Sequence, residues 1–589
     1  MSLKNIEHIR HTLAHLLAQA VLEIYGKDGA QPLLAIGPAI DNGFYYDIDF
    51  GGDRKPSSQD LQEIEDRMKE NLKKWTSFSH KTVAADEAYG HFSGPNGTNP
   101  YKAELIKEIK ARGEPITLYS CGGFTDLCRG GHADNPAEDI DADSFKLERI
   151  AGAYWRGSEN NPMLTRIYGL AFDTKEELDA YLAQQAEAEK RDHKKLGPAL
   201  KIFTLSPLVG SGLPLLMPNG AIIRRELEEY LWELHAKKGY SRVWTPHLAK
   251  EDLYVTSGHA AKFGDELFRV NGKDEKFFLK PMNCPHHMQI FADNQFSYRD
   301  MPVRYFEPAT VYRDEKTGQL AGLTRVRAIT QDDGHLFCRI SQIDEEVSTI
   351  VGIIRDFYST MRMIEGYWVR FSVRGPEGQY LGSDDIWNRA EEALENAAKK
   401  NNLPYTRVEG EAAFYGPKLD FMFKDAIGRE WQLATIQCDF NLPERFDLSF
   451  INDKGEKERP VVIHRAISGS LERFMGVMIE HFGGAFPTWL SPVQVKVLPI
   501  SEKHVEYAEK ISAELREAGV RVEVDAANES LGKKIRNAKT EKVPYVLVMG
   551  DAEVDAGTVA VESRDKGKIG AQPFEEFKSS LLEEIKDRA

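Results

Sequence analysis

The pattern of hydrophobic positions divides the first 172 residues into helix-like and strand-like segments. Residues 8–25 repeat apolar side chains with the period of an amphipathic helix, and Gly26 follows as a stop signal. The alternating stretch at 44–50 predicts a strand, and residues 58–74 predict a second helix. We therefore predict a mixed α+β domain over residues 1–172.

A polar connector follows this domain. Thr174 and Glu177 form a capping-box pattern before a run rich in Ala, Glu and Lys that continues to Lys195. We predict a connecting helix within residues 173–197. Its charges are more typical of a solvated helix face than of a binding site.

The rest of the chain carries two further patterns. Residues 198–487 mix strand-like and helix-like segments without the regular alternation of a doubly wound sheet. Beyond Pro487 and Pro492, predicted strands at 493–498, 520–525 and 543–549 alternate with predicted helices at 503–518 and 530–541. This order predicts a small α/β domain over residues 488–589.

Composition limits the kind of protein. The chain has 589 residues, of which 41% are hydrophobic and 29% charged, as in globular proteins with several domains. No apolar stretch approaches the ~20 residues of a membrane helix and the first ten residues are polar, so we expect a cytosolic (cytoplasmic) protein with no membrane partner. Five scattered cysteines argue against a disulfide framework, and a net charge of −16 argues mildly against nucleic-acid binding.

Candidate chemistry appears in the central region. Residues 312–315 (Tyr-Arg-Asp-Glu) precede a turn-forming stretch and then residues 324–333, which predicts strand, loop and strand with arginines directed at one place. A guanidinium fork suits phosphate oxygens, and a nearby Glu suits an adenine amino group or a cation. Residues 469–474 add small side chains followed by a Glu-Arg pair. Taken singly, such pairs are more often surface ion pairs.

In this order, and together with residues 239–246 (GYSRVWTP), these stretches resemble motifs 1, 2 and 3 of class II aminoacyl-tRNA synthetases. The stretches at 280–285 (KPMNCP), 324–335 and 463–466 (IHRA) narrow the resemblance to the threonyl-tRNA synthetases. The resemblance covers essentially the whole chain. It implies a multidomain α+β protein with an editing domain at 1–172, an antiparallel class II catalytic sheet flanked by helices at 198–487, and an α/β anticodon-binding domain at 488–589.

The resemblance also implies the reaction: ATP-dependent activation of L-threonine through a threonyl-adenylate and its transfer to tRNA(Thr), with Mg²⁺ accompanying ATP and the enzyme acting as a homodimer. Arg313 and Arg473 would hold the ATP phosphates and Glu315 the adenine, with Arg325 in the same loop. His259 matches a histidine implicated in transfer to tRNA. The implied substrate-binding residues are Met282, Gln331, Asp333, Tyr415, Lys418, Gln432, Gln437 and Ser470.

Three residues of the central region, Cys284, His335 and His464, correspond to the family's zinc ligands. Their spacing fits no short metal motif and by itself favours core packing, so one Zn²⁺ per subunit is implied by the resemblance alone. Such a site would bind threonine's amino and hydroxyl groups and reject valine by a factor on the order of 10⁴. Serine lacks only a methyl group, worth roughly 10- to 200-fold, so mischarged Ser-tRNA(Thr) would require hydrolytic editing.

The N-terminal domain contains a second group of metal-like side chains. His11 and His15 share one face of the predicted helix, and Cys128 and His132 flank paired glycines. The residues alone leave a zinc site, water-mediated hydrolysis and unrelated packing open. The resemblance implies a metal-free editing site in which the histidines orient water and the terminal ribose, while Asp126 and Cys128 shape the pocket.

The C-terminal stretch 532–542 is locally basic, which by itself is typical of a solvated helix face. The resemblance implies that Asn528, Arg536 and Glu553 read the anticodon. Glu562 departs from the family, because we expect a basic residue there.

Three further departures concern the substrates and the chain start. The chain begins ten residues before His11, so we expect it to lack the small extra N-terminal domain of many bacterial-type relatives. Residues 328–329 are Ala-Ile where the family usually has Gly-Phe, so Ile329 would contact adenine without stacking on it. His286 replaces a usual Gly beside Cys284, and we expect a surface histidine rather than an extra metal ligand.

Other hypotheses compete with this interpretation. A synthetase-derived RNA-binding regulator would be expected to lack Arg313, Arg473 or a zinc ligand, and all are present. A freestanding editing deacylase would leave residues 198–487 unexplained. A class II synthetase for proline or serine is disfavoured by the three zinc ligands in their matched contexts.

Overall fold

The computed structural model describes residues 5–26, 31–52, 55–94, 97–376, 378 and 380–589. The chain divides into two compact units, Met1–Ala186 and Glu187–Ala589. Over the described residues, no helix combines the length and the apolar character that crossing a bilayer requires.

The first unit combines helices with antiparallel sheets. The largest sheet has the order Leu33–Leu34, Gly43–Asp49, Met163–Ala171 and Phe145–Tyr154, with Ala39–Ile40 also paired to Gly43–Asp49. The smaller sheets are Ser79–Val83, Ile116–Cys121 and Phe124–Leu127, and the pair Ser93–Gly94 and Gly97–Thr98. The helices are Ile6–Tyr25, Leu61–Leu72, Ala85–His91, Pro100–Ala111, Pro136–Asp139 and Lys175–Arg191, the last of which crosses the boundary between the units.

The helix Ile6–Tyr25 is the central packing element of the first unit. Leu13, Leu16 and Leu17 are fully buried, and the helix contacts both Leu61–Leu72 and Gly43–Asp49. The helix predicted at 8–25 and the strand predicted at 44–50 are therefore confirmed. The second predicted helix is shorter than expected.

The predicted connecting helix is confirmed only in part. Thr174 Oγ1 accepts a hydrogen bond from the backbone N–H of Glu177, 3.2 Å away, and the helix runs to Arg191. The prediction that it continues to Lys195 is wrong. Asp192 leaves the helical conformation and its carboxylate caps a new helix, His193–Ala199, by accepting from the backbone N–H of Lys194.

The second unit is built around an eight-stranded sheet. Its order is Ser241–Arg242, Val303–Tyr312, Ala328–Cys338, Val461–Ser470, Glu430–Asp439, Lys418–Lys424, Trp368–Val373 and Tyr405–Glu409. Neighbouring strands are antiparallel except at the two edges, where Ser241–Arg242 and Tyr405–Glu409 run parallel to their neighbours. The helices that accompany the sheet are Pro218–Ala236, Glu251–Ser257, His259–Phe263, Cys284–Ala292, Ile343–Thr360, Asp384–Lys400, Asn441–Arg445 and Leu471–His481.

Short strands complete this part of the unit. They are Phe203–Thr204 with Leu215–Leu216, the three-stranded sheet Leu248–Lys250, Lys276–Leu279 and Arg269–Asn271, and Phe450–Ile451 with Lys457–Glu458. The core lies between the large sheet and the helices Ile343–Thr360 and Leu471–His481, which both contribute buried apolar side chains to it.

The C-terminal part of the chain forms a five-stranded sheet of order Val522–Val524, Val495–Pro499, Tyr545–Met549, Thr558–Ser563 and Gly567–Pro573. The first three strands are parallel, because the helices Val505–Glu517 and Leu531–Thr540 return the chain to the same sheet edge. These five elements confirm the predicted order. The two antiparallel strands and the helices Asp551–Ala556 and Phe574–Asp587 were not predicted; the strand Gly567–Pro573 is mostly exposed and lacks an apolar alternation.

Candidate functional site

A cavity of about 730 Å³ opens on one face of the large sheet. It is lined by residues of the strands Ala328–Cys338, Glu430–Asp439 and Val461–Ser470. The predicted residues that line it are Met282, Arg313, Glu315, Arg325, Gln331, Asp333, His335, Tyr415, Gln432, Gln437, His464, Ser470 and Arg473. The fold thus brings together most of the side chains that were assigned to amino-acid and nucleotide binding.

Three side chains that could hold a metal ion, Cys284, His335 and His464, lie close together and are named here the central cluster. The two histidines line the cavity, and Cys284 does not. His335 and His464 are direct partners in the pairing of two antiparallel strands, which explains how residues so distant in sequence become neighbours. Cys284 begins the helix Cys284–Ala292. One ligand atom of each residue lies within 4.8 Å of the others, and all three side chains are buried. This donor set and spacing suit a tetrahedral zinc ion with one open position.

Two members of the central cluster are electrically neutral in the absence of a metal. Burial lowers the pKa of His335 well below its ordinary value, so its ring is uncharged. Burial raises the pKa of the Cys284 thiol well above its ordinary value, and Asp333 and Asp439 add to that effect. A bound cation would reverse the balance at the cysteine, since thiolate and neutral imidazole are the forms that bind metals.

Two arginines reach the cavity from different elements of the fold. Arg313 follows the strand Val303–Tyr312 and donates to the carbonyl of Pro281 and the sulfur of Met282. Arg473 lies in the first turn of Leu471–His481, where the hydroxyl of Ser470 accepts from its backbone N–H. Neither guanidinium forms an ion pair with a described carboxylate, so both positive charges remain available to an anion in the cavity.

The remaining predicted residues are held by hydrogen bonds. Arg325 forms an ion pair with Glu315, 2.7 Å apart. The hydroxyl of Tyr415 donates to Gln437 at 2.7 Å. Lys418 and Gln432 both contact the buried carboxylate of Asp420. No sequence pattern selects Asp420, yet it fixes two of the predicted substrate-binding side chains.

The structure places several of the predicted residues differently from what the sequence led us to expect. Three predicted residues, Cys284, His259 and Lys418, do not line the cavity. His259 is fully buried, its Nε2 lies 3.5 Å from Cys284 Sγ, and burial lowers its pKa to about 3. The expectation that His286 is a surface residue is wrong. His286 is 7% exposed and its ring lies 6.2 Å from the ring of Tyr254, outside the central cluster.

The first unit contains a second cluster, formed by His11, His15, Cys128 and His132 and named here the N-terminal cluster. His11 and His15 stand on one face of the first helix with ring centroids 4.9 Å apart. The thiol of Cys128 lies 3.4 Å from His11 Nε2 and 3.3 Å from His132 Nε2. The ring of His132 stacks on Phe78 at 3.9 Å.

Behind this cluster lies a buried network centred on Asp126. Its carboxylate contacts Lys102, accepts from the hydroxyl of Tyr46 at 2.5 Å and lies 3.2 Å from His15 Nδ1. Lys102 and Tyr46 stand on a helix and a strand far from the cysteine loop in sequence. No sequence pattern links them to the cluster, so sequence analysis missed them.

Opposite charges face each other in the N-terminal cluster. Burial opposes ionisation of the Cys128 thiol, but its hydrogen bonds with His11 and His132 and the nearby His15 ring outweigh it and lower the pKa to about 3. Burial also opposes protonation of His15, but Asp126 and Cys128 raise its pKa to about 9. At neutral pH the site therefore holds a thiolate beside an imidazolium.

A third group, Asp192, His193 and Glu480, has metal-ligand residue types, but both of its imidazole nitrogens have protein partners. His193 Nδ1 lies 2.6 Å from a carboxylate oxygen of Glu480, and Nε2 accepts from the backbone N–H of Leu323 at 3.1 Å. This group connects the start of a helix to the loop that carries Thr324 and Arg325 at the cavity.

In the C-terminal sheet domain, Asn528 and Arg536 are at least partly exposed, and Glu553 accepts from the backbone N–H of Gly550 at 2.9 Å. Glu562 forms an ion pair with Lys539, 2.8 Å apart. A positive charge from the helix Leu531–Thr540 thus lies beside the position where the sequence departs from the family.

Three segments of the chain match models of known protein families. Residues 268–482 match the tRNA synthetase class II core domain (G, H, P, S and T), residues 494–584 an anticodon binding domain, and residues 116–168 the threonyl and alanyl tRNA synthetase second additional domain. The chain is 47% identical to a threonine–tRNA ligase of Thermus thermophilus, covering 98% of this chain and 88% of that one. It is 46% identical to the enzyme of that name from a Sulfurihydrogenibium species, covering 99% and 89%. The chain belongs to the threonine–tRNA ligase family.

Solved structures agree with this membership. A threonyl-tRNA synthetase RNA-binding domain from Cryptosporidium parvum superposes with a TM-score of 0.64 at 36% identity, over 67% of this chain and 98% of that one. A threonyl-tRNA synthetase homologue from Aeropyrum pernix gives 0.60 at 30% identity, over 68% and 96%. The resemblance to threonyl-tRNA synthetases and the predicted multidomain fold class are confirmed.

Proposed function

We propose that this member of the threonine–tRNA ligase family activates L-threonine with ATP as a threonyl-adenylate, transfers it to tRNA(Thr), selects it through a zinc ion and hydrolyses Ser-tRNA(Thr) at a separate site. The observation that carries the proposal is a cavity lined by two histidines of a buried Cys-His-His cluster and by two arginines that form no ion pair with a described carboxylate. The N-terminal cluster, in the unit that contains the second additional domain, supports the editing activity.

Adenylate formation needs positioning and charge more than covalent chemistry. Attack of the threonine carboxylate on the α-phosphorus of ATP releases pyrophosphate, and negative charge builds on the phosphate oxygens. Arg313 and Arg473 are suited to bind those oxygens, together with the Mg²⁺ that accompanies ATP. Glu315, fixed by Arg325, would accept from the adenine amino group. Gln331, Ser470 and the other predicted residues of the cavity would complete the pocket.

The central cluster fits a zinc ion. Cys284, His335 and His464 would hold it, and their burial and mutual approach within 4.8 Å support this assignment. When bound, the ion supplies a Lewis-acidic position for threonine's amino and hydroxyl groups. Asp333 lines the same cavity, 3.7 Å from His335 Nδ1, and would orient the amino group. We propose one zinc per subunit.

An editing activity is needed because the proposed zinc pocket would discriminate only weakly between threonine and serine. Serine keeps the hydroxyl and loses only a methyl group, so discrimination against it is roughly 10- to 200-fold. We propose that the N-terminal cluster removes serine from tRNA without a metal. His15 and the Cys128 thiolate, oppositely charged, would orient a water and the terminal ribose, with His11 and His132 beside them and Asp126 holding His15.

The other parts of the proposal concern tRNA and assembly. Asn528, Arg536 and Glu553 remain our candidates for anticodon reading, and His259 for transfer to tRNA. The proposed domains are 1–172, 198–487 and 488–589, with a linker at 173–197. A homodimer is also part of the proposal, and Trp244 in the motif 1 stretch, 77% exposed, is the candidate contact residue.

One experiment tests most of this proposal. ATP–pyrophosphate exchange is measured on the full chain with each of the twenty amino acids, and bound zinc is quantified in the same sample. We expect exchange with threonine, weak exchange with serine and about one zinc per chain. Exchange with proline alone, or the absence of exchange with any amino acid, would reject the proposal.

The nucleotide pocket has its own test. Ile329 lines the cavity with an aliphatic side chain, so replacing it by an aromatic ring adds a stacking surface for adenine. We expect Ile329→Phe to lower the KM for ATP by about 2- to 10-fold, the range of aromatic pair energies, with the threonine KM unchanged. An unaltered ATP KM would remove Ile329 from the adenine site.

A further inference from the structure

A group of polar side chains that the proposed reaction does not use lies buried beside the central cluster. It consists of Thr245, Lys280, Asn283, His287 and Glu307, none of which is more than 3% exposed. Burying so many polar groups is costly unless each finds partners. The group ends at His335, a proposed zinc ligand, so its hydrogen bonds bear on the metal site.

The hydrogen bonds of this group favour one arrangement of its protons. Asn283 Oδ1 accepts from Lys280 Nζ at 2.9 Å, so the Asn283 amide nitrogen donates to Glu307 Oε2 at 2.8 Å. Glu307 also accepts from the backbone N–H of Thr245 at 2.8 Å. The hydroxyl of Thr245 lies 3.0 Å from Glu307 Oε2 as a further donor, and Lys280 Nζ lies 3.9 Å from Oε1. Glu307 is therefore ionised and can only accept.

Because Glu307 can only accept, it also determines which nitrogens carry the protons of two imidazole rings, those of His287 and His335. His287 Nε2 lies 3.0 Å from Glu307 Oε2 and 3.1 Å from the amide nitrogen of Asn283. A lone pair on Nε2 would face the acceptor-only carboxylate, so we assign the proton to Nε2, which donates to Glu307. In the neutral ring, Nδ1 of His287 then carries a lone pair. His335 Nδ1 lies 2.8 Å from that nitrogen and must be the donor. The proton of His335 is thus on Nδ1, and Nε2 is the nitrogen that remains to bind a metal.

The other histidine of the central cluster is fixed more directly. Asp439 Oδ2 accepts from His464 Nε2 at 2.8 Å, which leaves Nδ1 of His464 for a metal. Carboxylates commonly orient metal-binding histidines in this way. Asp439 contacts the proposed zinc ligand His464 directly, whereas His287 lies between Glu307 and the proposed zinc ligand His335.

We propose that Glu307 and His287 are positioning residues, a relay that sets the tautomer and ring orientation of His335 so that its Nε2 lone pair is presented to zinc. This inference rests on the proposed zinc site. Because Glu307 also holds Thr245 of the motif 1 stretch, the relay ties the metal ligand to that segment of the chain.

Zinc affinity of the full chain tests the relay without relying on enzyme activity. The metal-free protein is titrated with Zn²⁺ against a chromophoric chelator, for the wild type and for His287→Leu, His287→Gln and Glu307→Gln. We expect His287→Leu to weaken zinc binding by roughly 10- to 100-fold, as is usual when a residue that orients a ligand is lost. His287→Gln keeps a donor and an acceptor and should recover most of the affinity. Glu307→Gln should fall between the two.

The matched control is His286→Leu. His286 is the neighbouring residue on the same helix and is buried, yet its ring nitrogens have no hydrogen-bond partner among the described residues. Its replacement should leave zinc affinity within about threefold of the wild type, well short of the loss expected at the relay. Substitution with Co²⁺ gives a second readout, since the visible spectrum reports the geometry of the ligands.

The possible results separate the relay from the zinc site itself. Wild-type affinity in His287→Leu would overturn the relay, as would a loss in His287→Gln equal to that in His287→Leu. If His287→Leu does not fold, as judged by circular dichroism, the two Gln variants decide. Unchanged zinc affinity in Glu307→Gln overturns the relay. Weaker zinc binding in Glu307→Gln, with near wild-type affinity in His287→Gln, supports it. A wild-type chain that binds no zinc would instead reject the proposed metal site.

Discussion

The N-terminal and central clusters use the same residue types, histidine and cysteine, in opposite electrostatic states. In the N-terminal cluster the Cys128 pKa is lowered to about 3 and the His15 pKa raised to about 9, so the site carries paired charges. In the central cluster burial raises the Cys284 pKa and lowers the His335 pKa, so both groups are neutral without a metal. The neighbours of a cluster, more than its composition, decide which chemistry it suits.

The physical source of the difference is the set of side chains around each cysteine. In the first unit, Cys128 is half-buried and three histidines surround it, which stabilises the thiolate. In the second unit, Cys284 is fully buried near Asp333 and Asp439, which disfavour a further negative charge. A divalent ion would relieve that repulsion. The first cluster is therefore suited to act as a set of charged groups, and the second to hold a cation.

Removing the thiol of the central cluster is expected to have the largest effect. Cys284→Ser replaces a thiolate ligand by a poorly binding hydroxyl, so the chain should lose zinc and threonine-dependent pyrophosphate exchange should fall by about 10³-fold or more. Deacylation of Ser-tRNA(Thr), assayed separately, should persist. Cys338→Ala is the control, because this buried cysteine lies outside the cluster. If the Cys284→Ser protein retained zinc, the central cluster would not be the metal site that distinguishes it from the N-terminal cluster.

The reciprocal change is in the N-terminal cluster. His11→Ala and His15→Ala remove groups proposed to orient water and ribose, so Ser-tRNA(Thr) deacylation should fall by about 10²- to 10³-fold, and Ser-tRNA(Thr) should accumulate. Zinc content and threonine activation should stay at the wild-type level. His91→Ala, at an exposed position in a helix of the same unit, serves as the control. Unchanged deacylation would sink the editing assignment.

The two clusters differ in how readily the sequence reveals them. His11 and His15, like Cys128 and His132, are four residues apart, so each pair can be recognised from local spacing alone. The central ligands are brought together by strand pairing between His335 and His464, a long-range contact that spacing does not encode. Only the family resemblance selected them.

The supporting residues were harder still to predict. Lys102, Tyr46 and His287 have no pattern that ties them to a site, because their roles depend on tertiary burial. The surface prediction for His286 was wrong for the same reason: its helix buries a face that the local sequence left undecided. The connecting helix ended early because Asp192 competes for the backbone as a cap.

The charged state of the N-terminal cluster can be tested by pH. His15 has a raised pKa, so its contribution to stability is complete below pH 6.5 and is lost as pH rises through about 9. In the folded protein the pKa values of the facing groups Asp126, Cys128 and His132 are all lowered, so these groups titrate below the range attributed to His15. We expect the wild type to exceed His15→Asn in unfolding free energy by up to ~3 kcal/mol at pH 6.5, with the difference shrinking by pH 9. A difference independent of pH would mean that His15 is neutral.

A substitution in the third group, Asp192, His193 and Glu480, is expected to have the smallest effect on activity. It tests whether a histidine with protein partners on both ring nitrogens acts without a metal. His193 has both ring nitrogens occupied by protein groups, so it should act on the ATP loop and bind no metal. His193→Ala removes the acceptor for Leu323 N–H, which should loosen the loop bearing Arg325 and raise the ATP KM by about tenfold, the cost of one buried unpaired group. His193→Gln should restore much of the affinity. Lys195→Ala, an exposed change on the same helix, should have no effect. A raised threonine KM or lost zinc in His193→Ala would show that this group belongs with the central cluster.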